Sequence, residues 1–187
     1  TIRRQRQMCI RDRNGILTRN ECFLNIAGDD AMAHISGACV GDGDFHHDDT
    51  VFVTHDAVGS ESRQVFKKVL RNGATGVFQG KILVKPDAQK TDGYQISQSL
   101  LLDEDSQFLA KPELEIYADD VACSHGSTSG AIDEDALFYL TSRGISKPVA
   151  IDMLTMAFLA EAVDEIDNYN LKDVILELLS GWLERRR

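Results

Sequence analysis

The sequence predicts a mostly β chain in which a β-solenoid is followed by a small C-terminal helical domain. Residues 14–129 are rich in Val, Ile, Phe, Thr and Gly, and their short apolar segments end at Gly, Asp, Asn or Pro, which favour turns. Four of these segments have centres roughly 18–25 residues apart, a spacing that suits the stacked coils of a solenoid. Those centres are Phe52, Val77, Ile96 and Leu114.

Six short segments are the candidate strands of the β region. Each is apolar or alternates apolar and polar residues, and each is bounded by turn residues. Because neither a strict hexapeptide repeat nor a glycine-rich repeat is present, a β-sandwich with similar turn spacing stays an alternative to the solenoid. The segments are residues 31–35, 50–54, 76–78, 81–84, 94–102 and 114–117.

Three helices are predicted after the β region, where the apolar period changes. The first covers residues 133–143, with Asp133 as its N-cap and Gly144 as its C-terminal stop. Ser146 is the predicted N-cap of the second helix, and an apolar stripe over residues 171–184 predicts the third. This end has about 55 residues, too few to be very stable alone. We therefore expect its helices to pack on one another, on the β region or on a partner.

The charge of the chain excludes several classes of function. The 187 residues include 20 basic and 30 acidic side chains, for a net charge of −10. An acidic chain is a poor fit for non-specific binding of nucleic acid or of an anionic membrane surface. The sequence has no run of 18 apolar residues, so no transmembrane helix is predicted. Four Cys with no CxxC motif and no secretory signal predict reduced thiols in a cytoplasmic protein.

Residues 1–13 differ in character from the rest of the chain. They include five Arg and one Asp. Residues 3–13 are identical at every position to the translation of a common sequencing-library adapter. We expect a non-native, adapter-derived tail here, with a native basic tail as the alternative. Without it, 15 basic and 29 acidic residues leave a net charge of −14. The predicted division is this tail, a β core over 14–130 and a helical domain over 131–187.

The densest set of metal-ligand side chains is His46, His47, Asp48 and Asp49, followed by His55. Imidazole and carboxylate groups suit zinc or iron. Adjacent residues of a strand point to opposite faces, so His46 and His47 cannot easily share one metal ion. We therefore interpret the set as solvated turn residues at the start of a strand. A metal-binding module that uses His46 and His55 is the alternative.

Cys123 and His125 form a sparser pair with better spacing. On an extended strand, residues two apart project to the same face, so the thiol and the imidazole would lie side by side. Such a pair can begin a site for iron or an iron–sulfur unit, although a partner must supply the remaining ligands. A Cys–His pair can also activate a thiolate nucleophile. The structural alternative is a small buried Cys beside a turn His.

Three other patterns receive a structural interpretation. Residues 126–130, GSTSG, resemble a phosphate-binding loop only superficially, because the Lys of the GxxxxGK[ST] motif is missing. Cys22 and Cys39 lie in apolar segments and are interpreted as inert core residues. Four acidic residues near a helix end are interpreted as a solvated face that could also meet a basic partner: Glu161, Asp164, Glu165 and Asp167.

Several long motifs occur in a fixed order along the chain. From Lys111 they read KPELEIYADDVACSHGSTSG and then AIDEDALFYLTSRGIS, preceded by HDAVGSESRQVFKKVL, TGVFQGKILV and AQKTDGYQISQSLLLDEDS. Over residues 14–187 they resemble the SufBD family, the scaffold subunits of the SUF system for iron–sulfur cluster assembly. The CSHG stretch and the LFYLTSRGI helix resemble the SufD type more than the SufB type.

The resemblance implies a fold and a set of partners. The fold is a right-handed parallel β-helix followed by a small helical domain. The implied subunit is a cytoplasmic, non-catalytic scaffold that pairs with SufB through the β-helix and docks the SufC ATPase through its C-terminal helices. The family's N-terminal helical region and first coils are expected to precede residue 14. The candidates for SufC docking are Phe138, Tyr139, Arg143 and Gly144.

The resemblance also implies a role for His125 in nascent cluster assembly near the SufB interface, with Cys123 as a weaker candidate. The implied cargo is a transient iron–sulfur cluster or iron shared with SufB, and flavin is possible at the level of the complex. Neither is expected to be held stably by this chain alone. Two alternatives stay open. One is a SufB-like or homodimeric scaffold that carries sulfur on Cys123, and the other is a β-solenoid enzyme, for which the hexapeptide pattern is missing.

Overall fold

A computed structural model describes residues 16–184 of the chain, and it consists of eight strands followed by three helices. The expectation for residues 1–13 lies outside this range and stays a prediction. The strands are β1 (Leu17–Ile26), β2 (Met32–Asp42), β3 (His46–His55), β4 (Glu61–Arg71), β5 (Thr75–Val84), β6 (Thr91–Leu101), β7 (Gln107–Ile116) and β8 (Val121–Gly130). The helices are α1 (Glu134–Ser142), α2 (Lys147–Val163) and α3 (Tyr169–Glu184).

The strands form two four-stranded parallel sheets, and successive strands alternate between them. Sheet 1 has the order β1-β3-β5-β7, and sheet 2 has the order β2-β4-β6-β8. Each pair of consecutive strands is therefore one coil, and about four coils stack into a β-solenoid. The predicted solenoid is confirmed. The alternative of a β-sandwich is wrong, because sandwiches of that kind are built from antiparallel strands.

The coil repeat is longer than the sequence spacing predicted. Leu17 pairs with His46 and Thr75 pairs with Gln107, so one coil takes roughly 30 residues. The predicted spacing of roughly 18–25 residues was wrong because the chosen segment centres mix the two sheets. Ile96 lies in sheet 2, whereas the other three centres lie in sheet 1.

Strands β1, β4 and β8 lie outside the six candidate segments, and residues 76–78 and 81–84 are two parts of one strand, β5. Strand β4 was missed because two adjacent lysines stand in its middle. Both are buried, Lys67 on the outer face of sheet 2 and Lys68 inside the solenoid. Charged residues inside a buried strand conceal the apolar pattern on which strand prediction depends.

The interior of the solenoid contains an apolar region and a polar cluster. Lys68 Nζ lies 2.5 Å from Asp49 Oδ2 and 2.7 Å from His47 Nδ1, and Asn20 Nδ2 donates to Asp49 Oδ1 at 2.9 Å. Burial, together with the nearby Lys68 charge, lowers the pKa of His47 to about 4. The apolar region includes Ile26, Val51, Val53, Phe66, Phe78, Ile82 and Val84.

These contacts correct the interpretation of the segment that begins at His46. His47 and Asp49 are interior residues of β3, and Asp48 is buried as well, so the expectation of solvated turn residues was wrong. The expectation that His46 and His47 lie on opposite faces is confirmed, because only the odd-numbered residues of β3 point inward. His46 and His55 also lie on opposite faces. The alternative of a metal-binding module that uses both is therefore wrong.

His55 should make the stability of the fold sensitive to acid. Its ring is fully buried, with Nδ1 2.7 Å from Ser60 Oγ and Nε2 2.8 Å from Ser62 Oγ, and burial lowers its pKa from 6.5 to about 4. Above pH 6.5 neither the folded nor the unfolded state carries the proton. As the pH falls from 6.5 towards 4, only the unfolded state gains it, so the free energy of unfolding decreases by about 1.4 kcal/mol per pH unit.

The variant His55→Gln tests this dependence, because a Gln side chain can bond both serines and does not titrate. The free energy of unfolding is measured with urea at pH 7 and at pH 5 for both proteins. Its decrease between the two pH values should be about 2 kcal/mol smaller in the variant than in the wild-type chain. Equal losses in the two proteins would show that His55 does not control the acid sensitivity.

The ends of the helices follow the predicted signals. Asp133 Oδ1 accepts hydrogen bonds from the backbone N–H groups of Asp135 (2.9 Å) and Ala136 (3.1 Å), as its N-cap role requires. Gly144 has φ +86°, the left-handed conformation that ends a helix. Ser146 precedes α2 as predicted, but its side chain makes no capping hydrogen bond. No helix among residues 16–184 is long and apolar enough to cross a membrane.

Helix α2 packs against α1, α3 and the outer face of sheet 2 at β2 and β4. The Lys67 ammonium pairs with Glu161 and lies 4.4 Å from the centre of the Phe158 ring. Glu165 lies 3.3 Å from His34 Nδ1 on β2. Glu161 and Glu165 thus have basic neighbours in their own chain, but the Glu161 side chain is 65% exposed, as expected for a solvated face. Asp164 likewise accepts from Lys172 at 2.8 Å.

Candidate functional site

Cys123 and His125 lie on β8, the last strand of sheet 2. Among the described strands, β8 pairs only with β6, where Gly93 is opposite Cys123 and Gln95 is opposite His125. Residues two apart on a strand share a face and are separated by about 6.6 Å along it. The structure places both side chains on the inner face of the last coil. Their roles in cluster assembly stay predictions.

Cys123 is a half-buried thiol at the edge of the apolar interior. Its side chain packs against the buried cluster that includes Ile82 and Val84. Gly93 leaves room for the sulfur, since a Cβ at that position would lie 3.1 Å from Cys123 Sγ. Burial raises the pKa of the Cys123 thiol. A neutral thiol is a weak nucleophile, so an activated thiolate is not favoured here, and metal binding would have to release the proton.

His125 is exposed at the open end of the solenoid. Within residues 16–184, no three or more His, Cys, Asp or Glu side chains come together as a metal site. Tetrahedral zinc and iron–sulfur sites need about four ligands. The arrangement can therefore supply two ligands, a thiolate and an imidazole, and the described residues do not complete a site around them.

The second half of β8 is a strand and not a loop. Ser127 and Ser129 point inward and meet in-register serines of β6: Ser97 Oγ donates to Ser127 Oγ at 3.2 Å, and Ser99 Oγ lies 2.6 Å from Ser129 Oγ. Residues 126–130 thus do not form a phosphate-binding loop, in agreement with the missing Lys. The outer edge of β8 presents backbone N–H and C=O groups to a partner strand.

The four SufC-docking candidates lie together at α1. Phe138 and Tyr139 are 73% and 54% exposed, and the Arg143 guanidinium lies 4.3 Å from the centre of the Tyr139 ring. Gly144 follows directly, in the positive-φ conformation that ends the helix. Adjacent exposed aromatic side chains are typical of interaction surfaces. The docking role of these residues stays a prediction.

Cys22 and Cys39 both face the interior, from β1 and β2. Cys39 is buried, and burial raises the pKa of its thiol to about 12, with Lys68 and Asp49 nearby. Cys22 is half-buried, and burial raises the pKa of its thiol as well. High pKa values keep both thiols protonated, which agrees with their interpretation as inert core residues.

Comparison with known proteins decides the family. The family model described as "SUF system FeS cluster assembly, SufBD core domain" matches residues 9–158. The chain belongs to the SufBD family. It is 35% identical to the iron–sulfur cluster assembly protein SufD of Escherichia coli over 162 residues, which are 87% of this chain and 38% of that protein.

Two further relatives extend the comparison. The SufD protein of Bacillus subtilis is 30% identical over 162 residues, 87% of this chain and 37% of the relative. A SufBD family protein of Synechocystis is 37% identical over 119 residues, 64% of this chain and 26% of the relative. The chain thus spans less than two-fifths of the length of each relative. The resemblance seen in the motifs is confirmed.

Two interior residues beside the candidate pair were missed from the sequence. Gln64 and Gln95 are fully buried, and they lie in register with each other on neighbouring strands of sheet 2. The signal that would find them is the coil repeat, because Gln64, Gln95 and His125 occupy the same place in three successive coils. A repeat as short as the one predicted could not align these positions.

Proposed function

We propose that this SufBD family chain is a non-catalytic scaffold subunit for iron–sulfur cluster assembly. In this proposal, Cys123 and His125 offer two ligands to iron or to a nascent cluster, which is the cargo of the scaffold and not a resident cofactor. The proposal is supported by family membership together with the position of a thiol and an imidazole on one face of the last coil.

The partner that completes the site would be SufB. Strands β7 and β8 each pair on one side only within residues 16–184, so a second solenoid can meet this end and continue the hydrogen bonding. Its side chains would then lie near His125 and supply the ligands that this chain lacks. Iron or a cluster would be shared between the two subunits and held only transiently, and any flavin would be bound by the complex as a whole.

The second partner would be the SufC ATPase, docked at α1. The exposed Phe138 and Tyr139, with Arg143 stacked on Tyr139, form a compact surface of the kind that anchors a protein interface. ATP hydrolysis belongs to SufC in this proposal, and this chain transmits the resulting change of shape. The proposed location is the cytoplasm.

Co-purification tests the proposal. The tagged chain, co-expressed with the SufB and SufC subunits of its source organism, should recover both. Phe138→Ala with Tyr139→Ala should reduce SufC recovery at least tenfold and leave SufB recovery unchanged, since truncating interface anchors typically costs about 2 kcal/mol or more. Tyr169→Ala is the matched control, because this aromatic ring is 79% exposed and belongs to α3 rather than α1.

Failure to recover either partner with the wild-type chain would contradict the proposal. Mass spectrometry of the recovered complex tests the alternative of a SufB-like or homodimeric scaffold. A persulfide on Cys123 would indicate a sulfur-carrying scaffold, and recovery of a second copy of this chain in place of SufB would indicate a homodimer. Neither is expected.

A further inference from the structure

We propose that Gln95 is a positioning residue for His125, acting through a column of in-register polar side chains inside sheet 2. The column is Gln64 on β4, Gln95 on β6 and His125 on β8. In parallel strands, residues in register point to the same face and lie about 4.8 Å apart. Gln95 is therefore the in-register neighbour of His125 on the interior face. This inference deepens the proposed function and rests on it for its biological meaning.

The neighbouring columns show that this part of the interior is built from paired polar side chains. Two and four residues further along the same strands, Ser97 bonds Ser127 and Ser99 bonds Ser129, at 3.2 and 2.6 Å. These pairs connect the same two strands, β6 and β8, and the same face. Gln95 and His125 occupy the preceding register position on the same two strands and the same face, although no hydrogen bond joins their side chains in this structure.

The burial of the two glutamines is the second observation. Both are 0% exposed, and within the described residues neither the Nε2 nor the Oε1 atom of either side chain has a hydrogen-bond partner. A buried amide without a partner is unfavourable, so an apolar side chain would suit a purely structural position better. Gly80 on the opposite sheet leaves the space that the Gln95 amide occupies, since a Cβ there would lie 2.5 Å from Oε1.

Stacked glutamines on parallel, in-register strands can bond to each other through their amides, with every carbonyl pointing the same way. In this structure the amides of Gln64 and Gln95 have no hydrogen-bond partner among the described residues; bonded to each other in such a ladder, they would fix the orientation of the Gln95 amide. At the end of this ladder, Gln95 would bond one ring nitrogen of His125 and so select the tautomer in which the other nitrogen is free for iron. Histidine ligands are commonly oriented by such a partner on the second nitrogen.

NMR of the histidine rings tests the inference in the whole chain. The ¹⁵N shifts of His125 Nδ1 and Nε2 report the ratio of the two neutral tautomers. Gln95→Met should change this ratio about fivefold, the effect of losing one ordinary hydrogen bond. Gln64→Met is the matched control, because it removes an equally buried amide one coil further from the ring, and its ratio should stay within about twofold of wild type.

Both variants replace a buried amide with an apolar side chain of similar shape, so both should fold. A second measurement on the wild-type chain needs no substitution: nuclear Overhauser effects should connect the Gln95 side-chain amide protons with the His125 ring. An unchanged tautomer ratio in folded Gln95→Met, or the lack of these effects in the wild type, would overturn the inference.

The outcome is separable from that of the proposed function. In the complex with SufB, Gln95→Met should weaken iron retention about tenfold, as expected for loss of a ligand's hydrogen-bond partner. A changed tautomer ratio together with normal cluster assembly in His125→Ala would reject the proposed function and leave the positioning intact. An unchanged ratio with lost assembly in His125→Ala would reject only the role of Gln95.

Discussion

Lys68→Met is expected to destabilise the fold by about 3–5 kcal/mol, a large part of the roughly 5–15 kcal/mol typical of a domain. Lys68 is 1% exposed and provides the positive charge for Asp49, which is also buried. Without the ammonium group, the Asp49 carboxylate would be left inside the solenoid with Asn20 and His47 as its polar partners within residues 16–184. An uncompensated buried charge is among the most unfavourable results of a single substitution.

The adjacent lysine is a matched control. Lys67 is also buried, but its partner Glu161 has a side chain that is 65% exposed and stays solvated when the ammonium group is lost. Lys67→Met also keeps an apolar stem against Phe158, so a loss of at most about 1 kcal/mol is expected. Urea unfolding of both variants gives the comparison. Adding Asp49→Leu to Lys68→Met should recover most of the lost stability, because both charges are then removed.

Equal effects of the two lysine substitutions would contradict this description of the interior. So would a double variant that is less stable than Lys68→Met alone, since it would mean that Asp49 is not the group left uncompensated.

His125→Ala is expected to abolish cluster assembly and to leave the complex intact. The substitution removes one of only two ligand side chains on the inner face of β8, and it adds no bulk at the interface. We expect at least a tenfold decrease in the maturation of a reporter iron–sulfur enzyme in cells that depend on this gene. Since His125 is exposed, the stability of the fold should change little.

Ser124→Ala is the control for this experiment. Ser124 is exposed on the opposite face of the same strand, directly beside His125. In cells with Ser124→Ala, the reporter enzyme should mature normally. In gel filtration, both variants should elute with SufB and SufC at the position of the wild-type complex. Normal maturation in His125→Ala would remove this residue from the proposed site.

The helical end of the chain was the most predictable part. Local signals decide it: the Asp133 carboxylate caps α1, and Gly144 adopts the positive φ that ends it. Neither depends on distant parts of the chain. In β4, by contrast, the burial of Lys68 depends on Asp49, a residue on the other sheet. A charged strand of this kind cannot be identified until its partner is known.

The candidate pair was found because the two-residue spacing of Cys123 and His125 sets their common face on any strand. The side chain that lies next to His125 could not be found in that way. Gln95 lies a whole coil earlier in the chain, and only the strand register brings the two together. The long motifs identified the family, whereas the pairing between coils came only from the structure.

The iron content of the reconstituted complex tests the central proposal most directly. The chain and SufB would be loaded anaerobically with ferrous iron and sulfide, separately and together, and iron retained after gel filtration would be measured per mole of protein. We expect substantial retention only for the two together, and its loss in the complex with His125→Ala. Equal retention by SufB with and without this chain would contradict the proposal that Cys123 and His125 supply two ligands of a shared site.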